Sequence, residues 1–295
     1  MRNRWCICFL LSALSSVAFA QSTFEMAIDG GWSMWGYSVN SPAKHTTSFS
    51  YGAHVGYAYF FTPHFGLGIG ADFRRHGDAL TLTTTQAWDD VTDTDGERYN
   101  HHLAIDKWRE QQRAFYVSIP VSVQFRIPTR SVDIYLMAGA SYDIALNGRT
   151  SAKGTLTHTG DYPQWGMHVD DDVHAYGFYS TDEYKPSGSL TMKNTASAFI
   201  RADVNIPLNN RWYFFTGIIA RYTFLSAYSQ PEEVVSGFRD DSPIGQEAHP
   251  FMPTYEPMIN TELVSGSFHP VTVGVELGIR YVFPKRKNKY PCKCI

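Results

Sequence analysis

FGLGIGADFRR, residues 65–75, sets the apolar side chains Phe65, Leu67, Ile69, Ala71 and Phe73 in strict alternation with Gly66, Gly68, Gly70, Asp72 and Arg74. A period of two is the mark of a β-strand whose faces meet different surroundings. Gly66, Gly68 and Ala71 also satisfy a loose G-x-G-x-x-G/A spacing, which in a dinucleotide site lets the backbone approach a pyrophosphate at a helix N-terminus. That chemistry needs a helix next, and RRHGDALTLTTTQAWDD (74–90) has no 3.6-residue apolar repeat. The glycines need another explanation. On a water-facing sheet they would waste packing and weaken the strand. Inside a narrow eight-stranded barrel, whose interior side chains just fill, they make room for Arg and Tyr from opposite strands.

Seven more stretches share the pattern, each with its charges on one face. Glu25 and Asp29 oppose Phe24, Met26, Ile28 and Trp32. His54 and two glycines oppose Phe49, Tyr51, Val55 and Tyr57. In 115–126, Gln124 and Arg126 oppose Val117, Ile119, Val121 and Val123, and 132–144 carries Asp133, Tyr135 and Asp143 on its polar side. Arg201, Asp203 and Asn205 share a face, as do Gly217 and Arg221, and Glu276 with Arg280. We expect Glu25, Asp29, Asp72, Arg74, Arg126, Asp133, Arg201, Asp203, Arg221, Glu276 and Arg280 to form one lumen network, with the apolar faces toward lipid.

The connections alternate as well. TPHF, PTRS and PLNNR are short, whereas 36–48, 77–107, 147–190 and 227–267 are long, the rhythm of short periplasmic turns and long outer loops. Aromatic residues gather near both sets of strand ends, with Tyr59, Phe65, Phe125, Trp212 and Tyr281 by the short turns and Trp32, Phe49, Phe73, Phe115 and Tyr222 by the long links. Two interfacial girdles are expected from this sorting. The mean hydropathy of −0.26 fits a soluble chain or a barrel equally, because alternating strands hide from hydropathy averages. The opening MRNRWCICFLLSALSSVAFA reads as a secretory leader with an A-x-A cleavage site, leaving Cys292 and Cys294 as the cysteines of the exported chain.

The run Tyr116-Val117-Ser118-Ile119-Pro120-Val121 resembles the Y-x-x-I-P-hydrophobic stretch of the PorT-like outer-membrane β-barrel family, and Gly274-Val275-Glu276-Leu277-Gly278-Ile279-Arg280-Tyr281 resembles that family's last strand. The resemblance covers about residues 24–283 and implies the OmpA/OmpX-type eight-stranded plan, with no single activity attached. Pro120 removes a ladder donor in mid-strand, so a local bulge is expected there.

Charge separates along the chain. The link 77–107 carries net −5, 147–190 net −3 and 227–267 net −6, while the tail 284–295 carries +5. Solvation explains acidic loops in the simplest way. The sharper readings are a basic partner or a divalent cation, for which Asp170-Asp171-Asp172 with His168 and His174 is the densest cluster and Asp93-x-Asp95 the next. The pairs Asp93-x-Asp95 and Asp172-x-His174 also resemble, in chain order, the D-x-D and D-x-H pairs of the omptin proteases, which implies a water-activating mouth; omptins have ten strands, and eight are found here. Cys292-Lys293-Cys294 offers two ligands, too few for a zinc site.

The expectation is an all-β, eight-stranded antiparallel transmembrane barrel of the outer membrane of a Gram-negative bacterium, with long extracellular loops and short periplasmic turns. It divides into a cleaved leader (1–20), the barrel (21–283) and a basic periplasmic tail (284–295). Its function is expected to be non-enzymatic, structural or adhesive through the surface loops, with an omptin-like peptidase or a small pore as the alternatives. No catalytic residue, cofactor site or metal site is assigned. The expected partners are outer-membrane lipid and lipopolysaccharide, with an extracellular ligand or cation at the acidic loops, no nucleic acid, and a monomeric state.

Overall fold

The computed structural model describes residues 21–93, 95–170, 173, 177–230 and 257–284, with backbone alone at 182 and 183. The leader and residues 285–295 of the tail lie outside the described residues, as do Asp171, Asp172 and His174.

Each alternating stretch forms a strand. The elements are β1 (Gln21–Val39), β2 (Lys44–Thr46), β3 (Ser48–Phe60), β4 (Phe65–Thr92), β5 (Arg98–Pro128), β6 (Asp133–Tyr162), β7 (Met167–Val169), β8 (Tyr179–Tyr184), β9 (Ser187–Leu190), β10 (Thr195–Pro207), β11 (Trp212–Thr223) and β12 (Val264–Val282). Eight of them pair antiparallel in the order β10-β11-β12-β1-β3-β4-β5-β6, and β6 pairs back with β10 to close the ring. A closed ring satisfies every strand edge, the condition for a sheet that crosses a bilayer. No described helix is long and apolar enough to cross a membrane.

Burial alternates as the sequence pattern requires. Ile69 is 57% and Ile218 65% exposed on the outside of the ring, whereas Arg74 and Arg280 are buried inside it. Aromatic contacts mark the girdles on the outer surface: Phe65–Phe125 at 4.8 Å and Trp212–Tyr281 at 4.9 Å toward the short turns, and Phe73–Phe115 at 6.1 Å toward the other end.

Two expectations need correction. Pro120 sits in no bulge. The β4–β5 register runs Ile69↔Val121 and then Asp72↔Ser118 without a shift, while the β6 side pairs Pro120↔Ser141. The ladder simply lapses at Gly70 and Ala71, because proline has no N–H to donate there; the β5–β6 shifts lie instead at Phe115/Tyr116 and Asp106/Arg109. The second correction concerns 77–107 and 147–190, read above as loops. Most of their residues are strand: β4 and β5 stay paired to Thr92↔Arg98, and β5 and β6 to Asn100↔Asp161. From Arg75 to Thr92 this extension continues for roughly 55 Å along the strand, at about 3.3 Å per residue. Its flanks are covered, β2 pairing with β4 and β8 and β9 with β6.

Candidate functional site

The lumen is built by register. Glu25 on β1 lies opposite Arg280 of β12 on one side and Gly56 of β3 on the other. Its Oε2 accepts from Arg280 Nε at 2.9 Å and Nη2 at 2.5 Å, and its Oε1 accepts from Arg201 Nη2 at 2.6 Å. Arg201 also pairs with Asp203 at 3.1 Å and Glu276 at 3.2 Å. Closer to the extension, Arg74 grips Asp29 with two bonds of 2.7 and 3.0 Å, and Arg221 donates to Asp72 at 2.7 Å and Ser141 at 2.8 Å. Near the short turns Arg126 meets Asp133 at 2.7 Å. All eleven charged residues expected in the lumen form ion pairs there, nine of them linked together and Arg126–Asp133 standing as a separate pair near the short turns.

Sequence reasoning missed two kinds of member. His54 links the two halves, its Nε2 3.1 Å from Glu25 and its Nδ1 against Asp72; its place on the polar face of β3 was the available signal. Phe215 also points inward: Arg280 Cζ lies 4.8 Å from its ring centroid, besides 3.9 Å from that of Tyr135, whose polar-side place was expected. The two rings give desolvated guanidinium groups a polarisable surface. Glycine supplies the space: a Cβ on Gly278 would lie 2.5 Å from Phe215 Cζ, and one on Gly217 2.4 Å from Asp203 Oδ1. A cavity bordered by Glu25, His54, Ser122 and Arg201 measures about 20 Å³, room for one water.

Above the lumen sits an apolar cap. Trp35, Leu80, Leu103, Ile105, Trp108 and Tyr116 pack with Met258 and Ile259 from the β11–β12 connection and with Phe268 of β12. The connection is pinned by polar contacts: Glu110 accepts the Met258 N–H with both oxygens at 3.0 Å, and Gln230 Nε2 donates to the Ile259 and Val264 carbonyls at 2.9 and 2.8 Å. Asp78, buried beside the cap, accepts from Trp35 N–H at 3.1 Å and from Tyr37 Oη, and contacts His45 Nε2 at 2.6 Å.

At the tip of the extension, a cleft of about 600 Å³ is lined by Asp90, Glu97, Arg98, Tyr99, Asn100 and Gln164. Asp90 adopts a left-handed φ of 59°, and its N–H donates to Asn100 Oδ1 at 3.1 Å. Its carboxylate holds Arg98 at 2.7 and 3.0 Å. A non-glycine residue keeps such a conformation only where its surroundings fix it. Trp165 lies over Tyr162 at 5.1 Å and is half exposed. Beneath the tip, His101 Nε2 and His158 Nδ1 meet at 3.1 Å among Tyr99, Phe178 and Tyr179. Burial draws the His101 pKa down to about 3, assisted by the nearby His158, and burial alone draws His158 down to about 4.

The Asp93-x-Asp95 pair serves the turn. Asp93 Oδ1 accepts the N–H groups of Asp95 and Glu97 at 2.9 Å each, and its Oδ2 accepts the Tyr162 hydroxyl at 2.8 Å. An Asx turn of this kind leaves Asp93 no geometry for activating water. Of the Asp170–His174 cluster only Asp170 and Val173 are described, and the neighbouring His168 bonds Asp161 at 2.5 Å. Among the described residues no group of three His, Cys, Asp or Glu side chains is placed to hold a metal ion.

Comparison with known proteins follows this architecture. Residues 6–214 match the family described as outer membrane protein beta-barrel domain. Among solved structures, Neisserial surface protein A is similar at 10% identity and a TM-score of 0.35, covering 90% of this chain and 99% of that one. The outer membrane protein OprG from Pseudomonas aeruginosa is similar at 11% identity and 0.34, covering 90% and 98%. Ail, the attachment invasion locus protein of Yersinia pestis, solved in complex with the heparin analogue sucrose octasulfate, is similar at 13% identity and 0.28, covering 89% and 99%. No curated protein matches. The chain belongs to the outer membrane protein beta-barrel domain family, and its place is the outer membrane of a Gram-negative bacterium.

Proposed function

We propose that the chain is a non-enzymatic surface-binding module: a filled barrel that holds a folded extension outside the cell and binds through its tip. In this reading, which keeps the PorT-like and OmpA/OmpX-type resemblance, the short connections face the periplasm with the basic tail, the leader is removed, and the barrel acts as a monomer among lipopolysaccharide. The observation that carries it is the tip cleft of about 600 Å³, with the exposed Asp90–Arg98 pair in its lining, on a three-stranded support. Its lining of carboxylate, amide and guanidinium groups beside the exposed Trp165 suits a neutral, hydroxyl-rich ligand such as a saccharide, with polar atoms bonded by planar side chains and an apolar face laid on the indole. The acidic surroundings disfavour a polyanion there. The pore alternative would need the Arg–carboxylate lattice and the cap both to move. The peptidase alternative would need Asp93 to leave its turn.

The test is binding of the refolded full chain to a panel of neutral oligosaccharides by calorimetry, with Arg98→Ala and Asn100→Ala variants. Saturable binding lost in both variants supports the reading. No binding by the parent chain, or equal binding by the variants, refutes the tip as the site.

A further inference from the structure

The outer wall of the extension, immediately beyond the girdle, carries a second unusual feature. Arg113 on β5 lies directly opposite Arg149 on β6, and four residue pairs further along Arg109 lies directly opposite Lys153, with the outward pair Gln111↔Ser151 between them. Gly77 of β4 flanks Arg113 on its other side, and Arg75 stands two residues nearer the membrane on the same outward face of β4. All five side chains lie outside the ring, partly or fully exposed. Arg75 is anchored to the girdle, donating to the Phe49 carbonyl at 2.7 Å with its Cζ 5.5 Å from the Tyr51 ring centroid. Among the described residues, no carboxylate pairs with Arg75, Arg109, Arg113 or Arg149; Arg113 donates only to the neutral Gln111, at 3.1 Å. The carboxylates of the intervening rungs, Asp78 and Glu110, point inward to the cap.

Like charges directly opposite each other on a sheet are destabilising. The Arg113/Arg149 pair makes sense when an anion sits between its members. The height selects the anion, because aromatic girdles mark the level of the lipid headgroups and this rung stands just beyond one. Guanidinium forks bind phosphate with paired hydrogen bonds, which suits them better to a phosphate than to a diffuse counterion.

We propose that Arg75, Arg109, Arg113 and Arg149 form a binding site for the phosphorylated headgroup of an outer-leaflet glycolipid, with a phosphate at the Arg113/Arg149 pair and a second toward Arg109. The site rests on the outward orientation of the extension proposed above. Protease cleavage at the tip in intact cells tests that orientation separately, so the two readings can fail independently.

The experiment measures the apparent Tm of the refolded full chain, from its heat-modifiable gel migration, in nanodiscs containing a bisphosphorylated glycolipid or its dephosphorylated form. The parent chain should melt higher with the bisphosphorylated lipid, and the combined Arg113→Gln, Arg149→Gln variant should lose most of that gain, with affinity reduced at least about tenfold. In phosphate-free detergent the same variant should melt no lower than the parent, since the repulsion it loses offsets the one part-exposed bond from Arg113 to Gln111; this separates the site from a folding defect. Arg98→Gln at the tip should keep the full lipid response. An equal lipid response in the double variant, or none in the parent, overturns the proposal. An equal gain from inorganic phosphate at matched concentration overturns the assignment to lipid.

Discussion

Gly68 and Ile69 are neighbours in sequence and face opposite surroundings, so their tolerance of substitution should differ sharply. Ile69→Arg or Val275→Arg places a charge against the hydrocarbon and should cost about 2–4 kcal/mol near the midplane, measured by equilibrium refolding into vesicles. Gly68→Ser should fold, because its Cβ would press on Gln124 Nε2 at 2.5 Å and Ser122 Oγ at 2.7 Å, both ends of movable side chains. Gly278→Ser should not, since its Cβ would meet the Met26 backbone oxygen at 2.4 Å. Equal tolerance at all four positions would show that inside and outside are assigned wrongly. Within the lumen, Glu25→Gln leaves Arg201 and Arg280 short of their shared carboxylate and should cost about 3–5 kcal/mol, the usual penalty for stranding a buried charge. This face was legible in the sequence because charge can lie only on one side of a strand whose other side meets lipid. His54 and the inward Phe215 were harder to read: a histidine and a phenylalanine carry no formal charge to mark their face.

At the scale of elements, the extension behaves as a unit distinct from the ring. Its buried histidines make it sensitive to acid. The unfolded hairpin binds protons as pH falls through about 6.5, whereas folded His101 and His158 resist protonation until about 3 and about 4. Protons therefore favour the opened state, so the stability these residues supply is complete above pH ~6.5 and declines as pH falls toward 3. Hydrogen exchange should show β8 and its partners in β6 losing protection at pH 5 relative to pH 7.5, after correction for intrinsic rates, while β1 and β12 keep theirs; unchanged protection in β8 would contradict this. The cap offers a second test. Glu110→Ala removes the carboxylate that holds the Met258 N–H and should weaken docking of the β11–β12 connection by about 1.5–3 kcal/mol, read as faster proteolysis there with the ring intact. The extension escaped sequence reading because LTLTTTQAW (80–88) has water on its outer face and no strong contrast between apolar and polar positions. The cap escaped because its members come from Trp35, Leu80, Ile105, Leu156 and Met258, segments far apart in the chain that carry no shared period.

For the molecule as a whole, three layers follow along the axis: a charged, filled lumen within the bilayer, an apolar lid across its mouth, and a polar tip. The closed ring should give heat-modifiable migration in detergent gels, folded and unfolded forms running apart without partial species, because no strand edge is free to open. The layers also reassign the charge seen in the sequence. Among the described residues, Asp89, Asp90, Asp93, Asp95 and Glu97 lie at the tip of the extension, while Arg109 and Arg113, just beyond the limit drawn at residue 107, and Arg149 make its base positive. The central claim is that β4 passes from a lipid-facing, lumen-facing alternation into a water-facing one near Arg75. Spin labels placed singly at residues 65–85 of the refolded chain in vesicles, in a Cys292→Ser, Cys294→Ser background, report it directly. Odd positions from 65 to 73 should collide with lipid-soluble oxygen, even positions with neither oxygen nor a water-soluble nickel complex, and exposed odd positions from 81 onward with the nickel complex. Oxygen access at the even positions, or the same access profile on both sides of Arg75, would contradict the account.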